Sequence, residues 1–348
     1  MHILITGGLG FIGSHLIEHL LSEYPDVHVL NLDALTYAAC PETQTHLHTQ
    51  YPERYTWIHG RVGDTKLLHR LLPQVDYVVH CAAESNVDLS LHDSHVFLES
   101  NILETQVLLE VCRQHTHLRR FLLVSTDEVY GNPWLDKPSL ESDPLLPCSP
   151  YAASKAGQDL LAYSYWVSFG VPVVRTRCVN NYGPRQDPTK LIPRFTLHTL
   201  QQQALPLYGS GKNLREWIHA QDHARALLYL LFHPEALEGE VFNVGTGLES
   251  SALEIGRSIL THFQSPLSQL QGVEDRAGHV QRHAVNSTKL RELGWKPQID
   301  WQTGFTETLN WYASNPRWVK AMIAHQTAHI PEYTSRYGLK APEGNKLC

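Results

Sequence analysis

Six short apolar runs punctuate the first half of the chain: ILIT at 3–6, VHVLNL at 27–32, YTWIHG at 55–60, YVVHCA at 77–82, FLLVS at 121–125 and VPVVRT at 171–176. Such runs suit strands that are covered on both faces, as in a parallel sheet. Between them apolar positions return at helical spacing. Ile12, Leu16, Ile17 and Leu20 share one stripe over 11–21, and Val107, Leu108 and Val111 share another over 101–112. Strand and helix thus alternate to about residue 178, which predicts a Rossmann-type α/β domain with a doubly wound parallel sheet over 1–178.

The character changes after Cys178. The stretch NNYGPRQDPTKLIP carries two prolines and a glycine close behind a strand, and a helix follows near Phe195. We expect the chain to cross here into a smaller, mixed α/β domain over 179–348, with elements near 217–245 returning to the first domain. EVFNVG at 240–245 reads as a strand, and a helix starts near Ser251. No repeat of 20–50 residues is visible.

Composition narrows the classes of function. With 28 Lys+Arg against 35 Asp+Glu the net charge is −7, which argues against a nucleic-acid-binding face. The longest apolar run, 226–232, falls far short of the ~20 residues of a membrane span. The opening MHILITGG follows no basic residue and is interrupted by glycines at 7, 8, 10 and 13, so it reads as a strand and not a signal peptide. Six cysteines without a C-x-x-C pair read as reduced thiols of a soluble, cytoplasmic protein. The 22 histidines show no metal-binding spacing, and no metal is expected.

Gly7, Gly8, Gly10 and Gly13 lie between the first strand and the first helix, where a turn brings backbone N–H groups against a pyrophosphate. Asp33 ends the second strand 20 positions after Gly13, placing a carboxylate for the two hydroxyls of a ribose. Residues 34–39 contain no Arg or Lys to neutralise a 2′-phosphate, which favours NAD over NADP. Asp64, after the third strand, fits either an adenine contact or a helix cap.

Tyr151 and Lys155 stand i, i+4 on a helix that follows Pro150, so one face carries both. An ammonium beside a phenol stabilises phenolate, so the tyrosine pKa is expected to fall towards neutrality and the group to act as a general base on a hydroxyl. Ser125-Thr126-Asp127-Glu128 follows the fifth strand at its carboxyl end, where open α/β sheets bind ligands. Adjacent carboxylates push one pKa up, giving an acid and a base in one pocket.

GGLGFIGSH, STDEVYG, SPYAASK, NNYGP and REWIHAQDHARAL together resemble the extended short-chain dehydrogenase/reductase superfamily, and within it the nucleotide-sugar 4,6-dehydratases of the dTDP-glucose 4,6-dehydratase family. The resemblance runs from residue 1 to about 320. It implies a cofactor, NAD, held by Gly7, Gly10, Phe11, Ile12, Gly13, Asp33, Asp64, Ala82, Ala83, Tyr151 and Lys155. It implies that Thr126 and Tyr151 bind a sugar C4 hydroxyl, that Asp127 protonates the leaving C6 hydroxyl and that Glu128 takes the C5 proton. Ser85, Asn180, Lys190, Leu191, Arg215, Arg276 and His279 match positions that hold the nucleoside-diphosphate sugar. The helices over 101–112 and 151–166 pair across a two-fold axis in relatives, so a homodimer is implied. The chain departs from the family pattern at Asn86 and Leu89, where histidine and arginine are common, and at Ala252, where asparagine is frequent. A UDP-glucose 4,6-dehydratase, a UDP-sugar 4-epimerase or decarboxylase, and a noncatalytic NAD-binding scaffold are the competing readings. The epimerase and the decarboxylase leave Asp127 and Glu128 without a task.

Overall fold

Along the strand His2–Thr6 (β1), Ile3 and Ile5 pack to one side with Leu16, Ile17 and Leu20, while Leu4 packs to the other with Leu68 and Leu108. Both faces of the strand are therefore dry, which explains a run without polar alternation. The computed structural model describes residues 1–131, 136–275 and 279–339. The next strands are His28–Asp33 (β2), Tyr55–His59 (β3), Tyr77–His80 (β4), Arg120–Thr126 (β5) and Val173–Cys178 (β6). They are followed by Asn180–Tyr182 (β7), Leu205–Tyr208 (β8), Leu214–His219 (β9), Val241–Val244 (β10), Glu249–Ser251 (β11), Leu270–Val273 (β12) and Arg282–His283 (β13).

Seven strands form one parallel sheet in the order β10-β6-β5-β4-β1-β2-β3, with helices on both faces, the doubly wound arrangement expected from the apolar runs. The chain winds from β1 outwards to β3 and then back through β4 to β6, so β1 and β4 are neighbours at the point where the direction reverses. A crevice opens there, beyond the carboxyl ends of the strands. A second sheet joins β11, β9 and β13, with β7 on β9, and β8 pairs with β12. Within 217–245, the helix Ala220–Leu231 packs on the helix Phe11–Glu23 and β10 joins β6, whereas Trp217 to His219 stay in β9 of the second sheet.

The helix Pro150–Phe169 begins cleanly because the Ser149 hydroxyl accepts the Ala152 N–H at 3.1 Å and Pro150 occupies the first helical position. Its fully buried Asp159 accepts from Arg175 at 2.8 Å and from Arg177 at 2.9 and 3.0 Å, both on β6. Arg177 also donates to the Tyr130 hydroxyl (2.9 Å), which donates to Asn243 on β10 (2.8 Å). Two guanidiniums hold the Asp159 carboxyl below the usual carboxylate range despite its burial. The catalytic-helix candidate is thus locked to the sheet by charge. We expect Asp159→Asn, which leaves buried guanidinium charge uncompensated, to cost about 3–5 kcal/mol of unfolding free energy. Urea unfolding checks this, and an unchanged midpoint and slope would show that the cluster carries no such weight.

Candidate active site

The turn after β1 shows why glycine stands where it does. Gly7 has φ +71°, and a Cβ on it would lie 2.7 Å from the backbone N and Cα of Ala82, beyond β4. A Cβ on Gly13 would meet the Gly7 carbonyl at 2.4 Å. The two strands of the switch point are thereby drawn together around a bare backbone cradle. Asp33 is 6% exposed, and its two oxygens accept N–H groups of Leu9 and Leu35, each at 2.8 Å. Burial pushes its pKa up and those two donors oppose the rise. Each oxygen keeps a lone pair for a ribose hydroxyl. Arg61, on the same wall, is tied to Glu104 at 2.6 Å, so its charge is already partnered. The residues fit a dinucleotide whose ribose carries free hydroxyls.

A cleft of about 370 Å³ runs from this cradle. It is lined by Gly7, Gly10, Phe11, Ile12, Gly13, Asp33, Ala82, Ala83, Ser85, Thr126, Glu128, Tyr151, Lys155, Asn180, Lys190 and Leu191. It adjoins a second cavity of about 220 Å³, and Glu128, Asn180, Lys190 and Leu191 line both. Arg215 and His279 line the second cavity, where Arg215 donates to the Val280 carbonyl (3.0 Å) and His279 lies 2.6 Å from Asp275. Arg276 falls outside the described residues.

Two expectations need correction. Asp64 does not line the cleft: it is exposed and caps the helix Thr65–Leu71, accepting the Leu67 N–H at 3.0 Å, and Gly60, Arg61 and Val62 form that wall instead. Asp127 is buried beside that wall. A 3-10 turn spans Asp127–Tyr130, and at 3.0 residues per turn successive side chains diverge by about 120°, so Glu128 lines the cleft while Asp127 packs next to it. Finally, Tyr151 is not acidified. Burial, then the Glu128 and Asp127 charges, push its pKa up against a Thr126 hydrogen bond, because the Lys155 ammonium is directed at the Val124 carbonyl (2.8 Å) and at Gln158. Lys155 itself is brought down to about 8 by burial.

Asp127 is raised well above the usual range by burial, by Glu128 and by Glu216, with Arg215 opposing. Its Oδ1 accepts the Thr126 hydroxyl at 3.2 Å, and its buried Oδ2 has no hydrogen-bond partner among the described residues. Glu216 was missed in the sequence. It is fully buried, accepts N–H groups of Gly247 (2.7 Å) and Val285 (2.8 Å), and its signal was a lone carboxylate amid the aromatic and aliphatic residues of REWIH. Asn101 was missed as well. The helix expected over 101–112 opens as a wide i→i+5 turn, Glu99–Leu103, which aims Asn101 inward at the Glu84 backbone (2.8 and 3.0 Å) and at Ser154 (2.8 Å). Tyr337, near the end of the described chain, lines the second cavity and donates to Asp88 at 2.8 Å.

Comparison with known proteins follows the same lines. The family model for GDP-mannose 4,6 dehydratase matches residues 4–308. A dTDP-glucose 4,6-dehydratase of Actinoplanes sp. is 42% identical over 325 residues, covering 91% of this chain and 99% of that protein. One from Streptomyces griseus is 43% identical, covering 92% and 97%. The crystal structure of DesIV, a dTDP-glucose 4,6-dehydratase from Streptomyces venezuelae with NAD bound, superposes with a TM-score of 0.88 at 43% identity, over 92% of this chain and all of that one.

Asp33→Ala should weaken NAD binding about tenfold or more, since hydrogen bonds to a charged acceptor are lost. Titration calorimetry measures this, and unchanged affinity would contradict the ribose assignment. Asp33→Asn with an arginine introduced nearby should begin to admit NADP.

Proposed function

Because the chain belongs to the GDP-mannose 4,6 dehydratase family, we propose that it catalyses NAD-dependent dehydration of a nucleoside-diphosphate hexose, dTDP-glucose first, to the 4-keto-6-deoxy sugar. The observation that carries this reading is the position of Glu128. It lies where the dinucleotide cleft and the second cavity meet, beside Tyr151 and next to a carboxyl, Asp127, whose pKa is raised by burial and by neighbouring carboxylates. When bound, NAD supplies a positively charged hydride acceptor that later returns the hydride, so no net redox change results.

The residues divide the work. Thr126 and Tyr151 hold the C4 hydroxyl, and Tyr151 takes its proton as the alcohol becomes a ketone, helped by the positive charge of Lys155 and of the bound cofactor. The new carbonyl acidifies the C5 hydrogen, which Glu128 removes. Hydroxide leaves C6 poorly unless it is protonated as it departs. Asp127 supplies that proton from Oδ2, the oxygen with no other partner among the described residues. Ser85, Asn180, Lys190, Leu191, Arg215 and His279 hold the nucleoside diphosphate, where an arginine fork suits a diphosphate. Asp64 is left to its cap.

The cofactor half comprises residues 1–178 with the returning segment through β10, and the remainder holds the sugar nucleotide. Two copies pair through the segment 99–112 and the helix Pro150–Phe169, on which Leu103, Leu160, Tyr163, Val167 and Phe169 are exposed. The chain works in the cytoplasm, in keeping with free thiols at Cys40, Cys81, Cys112, Cys148 and Cys178. No helix of the described residues is long and apolar enough to cross a membrane.

Incubated with dTDP-glucose in heavy water, the wild type should release a product one water lighter with deuterium at C5. A product without deuterium there would rule out elimination. Tyr151→Phe should lower kcat by ~10²–10⁴. Glu128→Gln should abolish both exchange at C5 and loss of water, while Asp127→Asn should retain exchange and lose dehydration. Sedimentation at micromolar protein should show a dimer, and Leu160→Glu with Val167→Glu should give monomer; a monomeric wild type would remove the dimer from the reading.

A further inference from the structure

Lys155 is almost wholly buried, yet it carries a charge whose three N–H donors all need acceptors. One donor reaches the Val124 carbonyl on β5 and a second reaches the Gln158 side-chain oxygen, which leaves the third for the cleft that Lys155 lines. Gln158 lies one turn further along the same helix and is fully buried. Nothing in the elimination chemistry uses it.

What fixes Gln158 lies on other elements. Its amide nitrogen is 2.8 Å from the Thr105 hydroxyl and 3.2 Å from His80 Nε2. Thr105 spends its own hydrogen on the Asn101 carbonyl at 2.8 Å, so towards Gln158 it offers only lone pairs. The amide must therefore present its N–H to Thr105 and its oxygen to Lys155. His80 completes the chain, with Nε2 2.8 Å from Thr105 and Nδ1 2.7 Å from Thr6, the residue that precedes Gly7 and accepts the Ala82 N–H. Every side chain in the row Thr6, His80, Thr105, Gln158 is buried. The row runs from the cofactor cradle to the ammonium.

We infer that Gln158 is the positioning residue of Lys155: its oxygen, locked in direction by Thr105, keeps the ammonium charged and aims the remaining N–H into the cleft. This rests on the reading of Tyr151 and Lys155 as the oxidation pair. Other titratable groups surround Lys155. His80 and Cys81 face it from the end of β4, Tyr151 and Asp159 share its helix, Arg175, Arg177 and Cys178 lie on β6, and Asp127 and Glu128 follow β5. His80 stays neutral, lowered to about 3 by burial and by Lys155, and Asp159 is shared with two arginines. Gln158 is thus the one side-chain acceptor given to the ammonium among the described residues.

The sign of the effect is fixed by electrostatics. Glutamate at this position adds an anion and should raise the titration of Lys155 above the wild-type value of about 8, whereas methionine, of similar length but without an acceptor, leaves burial unopposed and should lower it. Titration of ¹³Cε-lysine-labelled holoenzyme by NMR, with Lys155→Met to assign the resonance, reads this directly. We expect Gln158→Glu and Gln158→Met to move it in opposite directions by about one pH unit each. The alkaline limb of kcat for dTDP-glucose should follow, which means about a tenfold gain and a tenfold loss at a pH above that limb, with KM little changed. A packing role would lower kcat in both variants without moving the limb. If Gln158→Met does not fold, Gln158→Glu against wild type still gives the sign. Titration unchanged in Gln158→Glu, or moved the same way in both variants, would overturn the inference. Shifted titration in a protein that dehydrates no nucleotide sugar would instead sink the functional reading and leave Gln158 in place.

Discussion

A dehydrated ammonium is the constraint around which the site is arranged. Lys155 is 4% exposed, and burying a charge is tolerable only if fixed dipoles replace the water. The helix Pro150–Phe169 can approach the Val124 carbonyl of β5 because Asp159 clamps it to Arg175 and Arg177 on β6. Two charged locks thus hold one helix, a structural one facing β6 and a functional one facing β5. The order of the sheet follows the same need: β4, β5 and β6 must stand side by side for His80, Val124 and Arg177 to meet a single helix.

The carboxylates illustrate a second principle, that environment separates identical chemistry. Asp127 and Glu128 are neighbours in sequence, but the tight turn after β5 sends one into the protein and the other into the cleft. Burial, and then the negative charges of Glu128 and Glu216, raise the pKa of Asp127. Burial, and then the same negative field, raise Tyr151 in the free protein. The tyrosine is therefore at rest until positive charge arrives in the cleft, a property neither residue has alone.

Much of this was legible in the sequence because the relevant information is local. Continuous apolar runs identify buried parallel strands, glycines at 7, 10 and 13 mark a backbone that must come close to a ligand, and i, i+4 spacing puts Tyr151 and Lys155 on one helix face. Those features depend on residue type and short spacing, and the parallel sheet, the turn and the helix stand where they were expected. What only the tertiary structure decided depends on surroundings. Whether Asp64 caps a helix or meets a ligand, and whether Tyr151 rises or falls, follow from which groups lie within hydrogen-bond reach and how much water is excluded. Gln158 reads as one more helix residue until Thr105, 53 positions away, dictates which way its amide faces. Tyr333 likewise looks like part of a tail, yet its hydroxyl accepts from Asn86, 247 positions earlier, at a wall of the second cavity. Spacing is written along the chain, but desolvation and direction exist only once distant segments have closed around the group.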